Sequence, residues 1–360
     1  MTSEEARAQF PVLERVAYLN AGSMGPLPRT TFEAMSAGLR RDLDEGRGGK
    51  PYYELILDLR LRARTRLAEV VGADPEQMAL TSSTTDGCNI VLAGLELGPE
   101  DEIVTSASEH PGLLAPLHVS GARVVVAPTL GRPASEALDA ILGAVTERTR
   151  LLALSHVAWT TGQVFPVDEL KERTGLPVLV DGAQSVGAIP VDVGALDFYT
   201  VSCQKWLCGP EPLGALYIAE PERLRVGRPT GFSQESIEPD GAFVPRQGAA
   251  RFDSGWLAAS SLAGLLASLD CAPEWRFDGA ARMAARCREA LVAAGLDVVT
   301  EADQATLVSF VPREEADAAA RRAYESGVVI RDLPGTGWVR ASCGWWTDEV
   351  DIDRLLSALR

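Results

Sequence analysis

One lysine of this chain has the surroundings of a reactive group rather than of a surface charge. The 360 residues include only three lysines, and Lys205 lies in the segment Ser202–Trp206, directly after an apolar stretch that predicts a strand. Because burial lowers the pKa of an amine, a lysine among small and aromatic residues can be neutral and can form a Schiff base with an aldehyde. The alternative is a lysine whose stem packs while its amine reaches solvent.

A carboxylate follows another apolar run. Asp181 comes directly after Val178–Val180, so the pattern places it at the carboxyl end of a strand, where open α/β sheets bind their ligands. A buried carboxylate there needs a positive partner or hydrogen bonds, and a protonated pyridine nitrogen is one such partner. A metal ligand and a helix cap are the other interpretations of this residue.

Two further segments suggest contacts to a flat, phosphorylated ligand. The hydroxyl-rich turn 81–87 precedes a helical pattern, and such a helix start presents backbone N–H groups to an anion, although a plain N-cap gives the same pattern. His110 follows the strand pattern of residues 102–106 and could stack on a ligand ring. An amine, an acid, a phosphate-binding turn and a stacking ring are together the parts of a pyridoxal phosphate site.

The elements that position these residues alternate along the chain. Apolar runs predict strands at 102–106, 123–127, 151–157, 177–180, 197–202 and 214–219, and helical patterns lie between them, for example at 134–145 and 167–173. Upstream, residues 53–71 form an amphipathic helix pattern. Strands that are apolar almost throughout are typical of a sheet covered on both faces. The sequence therefore predicts an α/β fold with a mostly parallel sheet.

The pattern changes near residue 250. Helix patterns at 256–269, 274–294, 314–326 and 348–359 are joined there by strand patterns at 306–311, 328–333 and 338–343. We therefore expect a large domain at residues 16–250 and a small C-terminal α+β domain at 251–360, with residues 1–15 packing against the small one. The stretch 227–251 has no clear period and is expected to be a long functional loop.

Composition excludes several other classes of protein. Lys and Arg total 34 against 50 for Asp and Glu, a net charge of −16, so we expect no nucleic-acid partner. No apolar stretch approaches about 18 residues and the N-terminus lacks a signal-like segment, so we expect a cytoplasmic protein without a membrane partner. The six cysteines form no CxxC pair, which argues against a disulfide framework and against a metal site. A dehydrogenase would need a GxGxxG turn, and none is present.

The motifs around Asp181 and Lys205, VDGAQSVGAIPVDV and SCQKWLCGP, resemble those of the class V aminotransferase family. This family includes cysteine desulfurases and isopenicillin N epimerase-like proteins, and the resemblance runs from about Tyr18 to the last helix. It implies fold type I of the pyridoxal phosphate enzymes, with a seven-stranded type of large sheet, pyridoxal 5'-phosphate as cofactor, a small amino-acid substrate and a homodimer.

The resemblance also assigns roles to individual side chains. Those that hold the cofactor or the substrate are Lys205 (Schiff base and acid/base at Cα), Asp181 (pyridine nitrogen), Gln184 (ring hydroxyl), His110 (stacking), Thr84, Thr85 and Ser202 (phosphate), and Arg340 (substrate carboxylate).

Departures from the family pattern bear on the phosphate site. Gln204 stands where the family has a phosphate-contacting histidine. Trp256 replaces a threonine that commonly reaches the partner subunit's phosphate, and Ser254 is a candidate substitute.

Other departures bear on the reaction. Trp159 replaces an asparagine near the substrate carboxylate, which indicates either a larger, more apolar pocket or mere packing between domains. The loop 331–338 lacks the mobile cysteine of a desulfurase. Because relatives without this cysteine include carbon–sulfur lyases, the resemblance implies a lyase that cleaves a carbon–sulfur bond by β-elimination without a persulfide cysteine. An aminotransferase, an epimerase and a non-catalytic protein of this fold are the alternatives.

Overall fold

The computed structural model describes all 360 residues. The helices are α1 Ser3–Arg7, α2 Arg29–Glu45, α3 Gly49–Val71, α4 Thr84–Leu95, α5 Pro111–Val119, α6 Ala134–Gly143, α7 Val167–Thr174, α8 Ala259–Cys271, α9 Arg276–Ala293, α10 Ala316–Glu325 and α11 Glu349–Ala358. The strands are β1 Ala17–Tyr18, β2 Met78–Thr81, β3 Glu102–Ser106, β4 Arg123–Ala127, β5 Thr149–Ser155, β6 Val178–Asp181, β7 Phe198–Ser202, β8 Gly214–Ile218, β9 Asp297–Val298, β10 Leu307–Val311, β11 Val328–Val329, β12 Arg331–Leu333 and β13 Trp338–Ser342.

Seven strands form the large sheet, in the order β2-β8-β7-β6-β5-β3-β4. Every neighbouring pair is parallel except those of β8, which is antiparallel to both β2 and β7. The expectation of an α/β fold with a mostly parallel seven-stranded sheet is confirmed. Because the parallel strands point the same way, the chain segments that follow β3, β5, β6 and β7 meet at one edge of the sheet.

Helices cover both faces of this sheet. One apolar core packs residues of α3, α6, α7 and α8 against the strands, and a second packs residues of α4 and α5 against the opposite face. This double coverage explains why β3, β6, β7 and β8 are buried along their whole length.

A second, four-stranded sheet has the order β12-β13-β10-β9, with antiparallel pairs throughout, and packs on α9, α10 and α11. The N-terminal segment joins this part of the molecule, since β1 pairs in parallel with β11 and Arg7 forms an ion pair with Asp351 at 2.7 Å. The apolar residues of α8, in contrast, belong to the core of the large sheet. The domain boundary at residue 250 stays a prediction.

The apolar patterns located most of the predicted elements to within two residues. Six elements were missed, namely the short α1, β1 and β9 and the longer α2, β2 and α5. The helix α2 has a largely polar sequence, β2 joins the sheet antiparallel at its edge, and α5 contains Pro116. The pattern at 328–333 also splits into two short strands with different partners. None of the helices is long and apolar enough to span a membrane.

Candidate active site

Lys205 lies in the turn that follows β7, at the edge of the sheet where β6 and β3 also end. Its side chain is half-buried, and its amine forms no hydrogen bond or ion pair within the chain, whereas Lys171 pairs with Asp197 at 2.8 Å. Burial lowers the pKa of Lys205 to about 8, and the positive charges of Arg340 and Arg331 add to this effect while Asp181 opposes it. At pH 7 about a tenth of this amine is therefore neutral and nucleophilic, far more than for an exposed lysine.

Asp181 ends β6 and is almost fully buried. Its Oδ1 accepts a hydrogen bond from the backbone N–H of Ala183 at 2.9 Å and a longer one, 3.3 Å, from the hydroxyl of Thr200 on the neighbouring strand β7. No lysine, arginine or histidine of the chain forms an ion pair with it. A buried carboxylate in this position is suited to a cationic group that arrives with a ligand.

Gln184 is held rigidly beside this carboxylate. Its Nε2 donates to the carbonyl of Gly22 at 2.8 Å, and its Oε1 accepts from the indole N–H of Trp206 at 3.0 Å. One of the two N–H groups of Nε2 remains free to donate to a ring hydroxyl, the role that was expected of it.

His110 caps the N-terminus of α5, and its Nδ1 accepts from the backbone N–H of Gly112 at 2.9 Å. This bond places the ring proton on Nε2. Burial lowers the pKa of His110, helped by the charge of Lys205, so the ring is neutral near pH 7. Its edge meets the Trp159 ring with centroids 5.1 Å apart, which fixes the imidazole plane.

The proposed phosphate-binding residues lie at the N-terminus of α4 and after β7. Thr84 and Thr85 are the first two residues of the helix and are half-buried, so their hydroxyls border a helix N-terminus. The Ser202 hydroxyl donates to the Gln204 Oε1 at 2.9 Å, which leaves the amide N–H groups of Gln204 to donate elsewhere. These four side chains carry no charge.

Arg340 is fully buried on β13, and its Nη1 donates to the carbonyl of Trp159 at 2.7 Å. Its Nε and Nη2 have no partner, nor has the buried indole N–H of Trp159. Burial lowers the pKa of Arg340 to about 9. A Cβ at Gly22 would lie 2.5 Å from Nη2, so only glycine leaves room for the guanidinium here. Unpaired donors of this kind match the fork geometry of a carboxylate ligand.

Arg331 is a candidate site residue that the sequence did not reveal. It lies on β12 directly opposite Arg340 on β13, and its guanidinium carbon is 5.8 Å from the centroid of the Trp159 ring. It donates to the Ser23 hydroxyl at 3.2 Å but forms no ion pair. Its charge lowers the pKa of Lys205, which places it at the same site.

The departures noted in the sequence occupy defined positions. Ser254, the suggested substitute for the family threonine, donates its hydroxyl proton to Asp86 of the same chain, and Trp256 is 71% exposed on the surface. All six cysteines are buried, so none is presented to the solvent as a free thiol.

Comparison with known proteins decides the family. The model of the family described as Aminotransferase class-V matches residues 19–318. This chain belongs to the class V aminotransferase family. Isopenicillin N epimerase from Amycolatopsis lactamdurans is 31% identical over 408 aligned positions, 99% of this chain and 97% of that protein. The same-named protein from Streptomyces clavuligerus is 35% identical over 256 residues, 67% of this chain and 63% of its own length. Cysteine desulfurases are also similar to this class V chain.

A solved structure of the cystine C–S lyase C-DES, in complex with its reaction product cysteine persulfide, superimposes with a TM-score of 0.90. The two sequences are 30% identical, and the match covers 98% of this chain and 99% of the other. The class V chain is thus a fold type I, pyridoxal phosphate-dependent enzyme that acts on amino acids.

The residues at the sheet edge fit that cofactor. An amine without a partner would meet its aldehyde, a buried carboxylate without a cation would meet its pyridine nitrogen, and hydroxyls at a helix N-terminus would meet its phosphate. Lys205, Asp181, Thr84 and Thr85 would supply these groups.

Proposed function

We propose that this enzyme is a carbon–sulfur lyase that cleaves S-substituted cysteines carrying a second anionic group, with L-cystine as the simplest example. The observation that carries the proposal is the pair of facing guanidinium groups, Arg331 and Arg340, without any carboxylate between them. Two like charges directly opposite each other on neighbouring strands destabilise the protein unless anions compensate them. A substrate with two carboxylates supplies both.

Each residue has a defined task in this proposal. Arg340, with the indole N–H of Trp159 beside it, binds the α-carboxylate and so fixes the orientation of Cα. Arg331 binds the distal anion and directs the sulfur substituent toward β12. The bound cofactor supplies an aldehyde that condenses with amines and a ring that withdraws electrons from Cα. Lys205 takes the proton from Cα, and its pKa of about 8 suits transfer in either direction near neutral pH.

The cysteines support elimination rather than sulfur relay to a protein thiol. A hydrogen bond with Cys287, together with burial, raises the pKa of Cys343, and burial raises that of Cys208, so neither presents a thiolate to a substrate. The sulfur would therefore leave with its own substituent, as a persulfide when the substrate is cystine. The remaining fragment would be released as pyruvate and ammonia. The similar C–S lyase, crystallised with cysteine persulfide, supports the same outcome.

The test is a product analysis of the cofactor-loaded enzyme with L-cystine, S-sulfocysteine and S-methylcysteine. We expect pyruvate and ammonia in equal amounts, fastest with the two substrates that have a second anion, and no product from Lys205→Ala. Formation of the matching oxo acid without sulfur release would instead identify an aminotransferase. Loss of optical activity without cleavage would identify an epimerase.

We also propose that the enzyme is a homodimer. Large apolar side chains are exposed on α2 and α3, among them Phe32, Leu43 and Leu61, and an open groove of about 550 Å³ beside them is lined in part by Trp256. Exposed apolar groups in this number favour a protein partner. Light scattering should give twice the chain mass for the wild type and a lower mass for Leu43→Glu. The equally apolar but distant Val350→Glu serves as control.

A further inference from the structure

A second carboxyl group lies buried behind the cofactor site. Glu109 directly precedes His110 and is 5% exposed. Its Oε1 accepts from the Ser106 hydroxyl at 2.5 Å, and its Oε2 accepts from both the hydroxyl and the backbone N–H of Ser155, at 2.5 and 2.9 Å. No lysine, arginine or histidine forms an ion pair with it. A buried carboxyl held only by neutral donors is costly to ionise, so an acid at this position is expected to have a specific role.

The position of Ser155 indicates what this role is. Ser155 is the last residue of β5 and lies in register with Asp181, the last residue of β6. Glu109 therefore connects the loop after β3, which carries His110, to the strand end beside Asp181. The other groups that face it are the Asp181 carboxylate and the buried thiol of Cys88 on α4.

We propose that Glu109 is a positioning residue for the cofactor: it fixes the loop that carries His110 and adds a second negative charge behind Asp181. The loop has a further anchor of a different kind, since the hydroxyls of Ser108 and Thr129 lie 3.1 Å apart within hydrogen-bond distance. That anchor carries no charge. Both Glu109 and Ser108 therefore attach the loop, but only Glu109 can also contribute a negative charge.

Burial raises the pKa of Glu109 to about 7, and the negative charge of Asp181 adds to this, while the bonds from Ser106 and Ser155 oppose it. The carboxyl thus loses its proton near neutral pH. Once ionised, it favours positive charge on the groups around it, including a protonated pyridine nitrogen bound to Asp181.

The first experiment compares the cofactor-loaded wild type with Glu109→Gln and with Ser108→Ala. The observable is the midpoint of the pH-dependent change in absorption of the bound cofactor. Removing a nearby negative charge should lower this midpoint by about one pH unit in Glu109→Gln. Ser108→Ala loosens the same loop without changing charge and should leave the midpoint in place. Equal midpoints in all three proteins would overturn the charge role.

The second experiment uses the cofactor-free protein and does not depend on activity. An acid whose pKa rises from 4.5 to about 7 on folding binds more protons in the folded state, so the wild type should lose stability as the pH rises across that interval. The melting temperature of Glu109→Gln, relative to that of the wild type, should therefore increase as the pH rises from 5 to 7. A difference that is constant with pH would show a purely structural hydrogen-bonding role. If Glu109→Gln does not fold, Glu109→Asp replaces it, and it should retain the pH-dependent loss.

Discussion

Two pairs of arginines in this molecule have opposite surroundings. Arg60 and Arg64 lie four residues apart on α3 and share the carboxylate of Asp253, at 2.9 and 2.7 Å. Asp253 also accepts the backbone N–H of Leu80 at 2.8 Å, so its oxygens are fully used. Arg331 and Arg340 face each other across β12 and β13 with no carboxylate at all.

The difference distinguishes arginines that stabilise the fold from arginines that are available to bind a ligand. Where the chain supplies the anion itself, Arg60 and Arg64 are bonded to it and join α3 to the segment after residue 252. Where the chain has no such anion, Nε and Nη2 of Arg340 remain unbonded in the protein interior. Leaving such donors unpaired costs stability. The second pair is therefore best explained by an anionic ligand that binds there.

The largest expected effect is the loss of stability when Arg60 and Arg64 lose their shared carboxylate. Replacing Asp253 by Asn leaves two buried arginines without their counter-ion, which should lower the free energy of unfolding by about 3–5 kcal/mol. Urea denaturation followed by circular dichroism measures this. The exposed acid of the Lys50–Glu54 pair gives the control, because Glu54→Gln should change stability by less than about 1 kcal/mol. Similar losses in both variants would contradict the distinction.

Removing Arg340 should do the reverse, harming activity but not stability. Arg340→Gln takes away the charged donors for the substrate carboxylate, and kcat/KM should fall about 100-fold. Its melting temperature without cofactor should equal or exceed that of the wild type, since a like-charge contact with Arg331 is relieved. Arg321→Gln, on the exposed face of α10, should change neither quantity. A clear loss of stability in Arg340→Gln would mean that the guanidinium is structural.

The next effect is selective for substrate. Arg331→Gln should raise KM about tenfold for cystine and S-sulfocysteine, because one charge-assisted contact is lost. The KM for S-methylcysteine, which has no second anion, should hardly change. Steady-state kinetics with the three substrates measure this. An equal rise for all of them would assign Arg331 to the α-carboxylate or to the fold.

The smallest effect concerns Lys205. Positive charge from both unpaired arginines lowers the pKa of this amine, which is about 8. The rate at which the cofactor-free protein captures pyridoxal phosphate should therefore rise with pH and level off above about pH 8, since only the neutral amine reacts. In Arg331→Gln the midpoint should move upward by less than one pH unit. An unchanged or lower midpoint would contradict a contribution of the Arg331 charge to the pKa of Lys205.

The cofactor side of the candidate site could be predicted from the sequence, because a local pattern marks each of its residues. Each of Asp181, His110 and Lys205 follows an apolar run, and the ends of parallel strands meet at one edge. The structure places all three there. Trp159, whose role was left open, borders both His110 and Arg340. The antiparallel direction of β8 was not predicted, since an apolar run carries no sign of direction.

The substrate side depends on contacts that are distant in sequence. Arg331 was missed because its position opposite Arg340 follows from the register of the β12–β13 hairpin, which no residue type specifies. Glu109 lies next to His110 in the sequence, but its partner Ser155 lies 46 residues further along the chain. Such pairings emerge only when the strands are assembled, and a single sequence contains no signal for them.

The register of that hairpin has an evolutionary consequence. Both guanidinium groups belong to ten consecutive residues, 331–340, at the edge of the small sheet, whereas the groups assigned to the cofactor lie on the large one. Mutations confined to this short segment can change which amino acids are accepted and leave cofactor binding intact. A relative with a different hairpin would thus catalyse the same chemistry on other substrates. Exchanging this segment between relatives is a direct route to altered substrate selectivity.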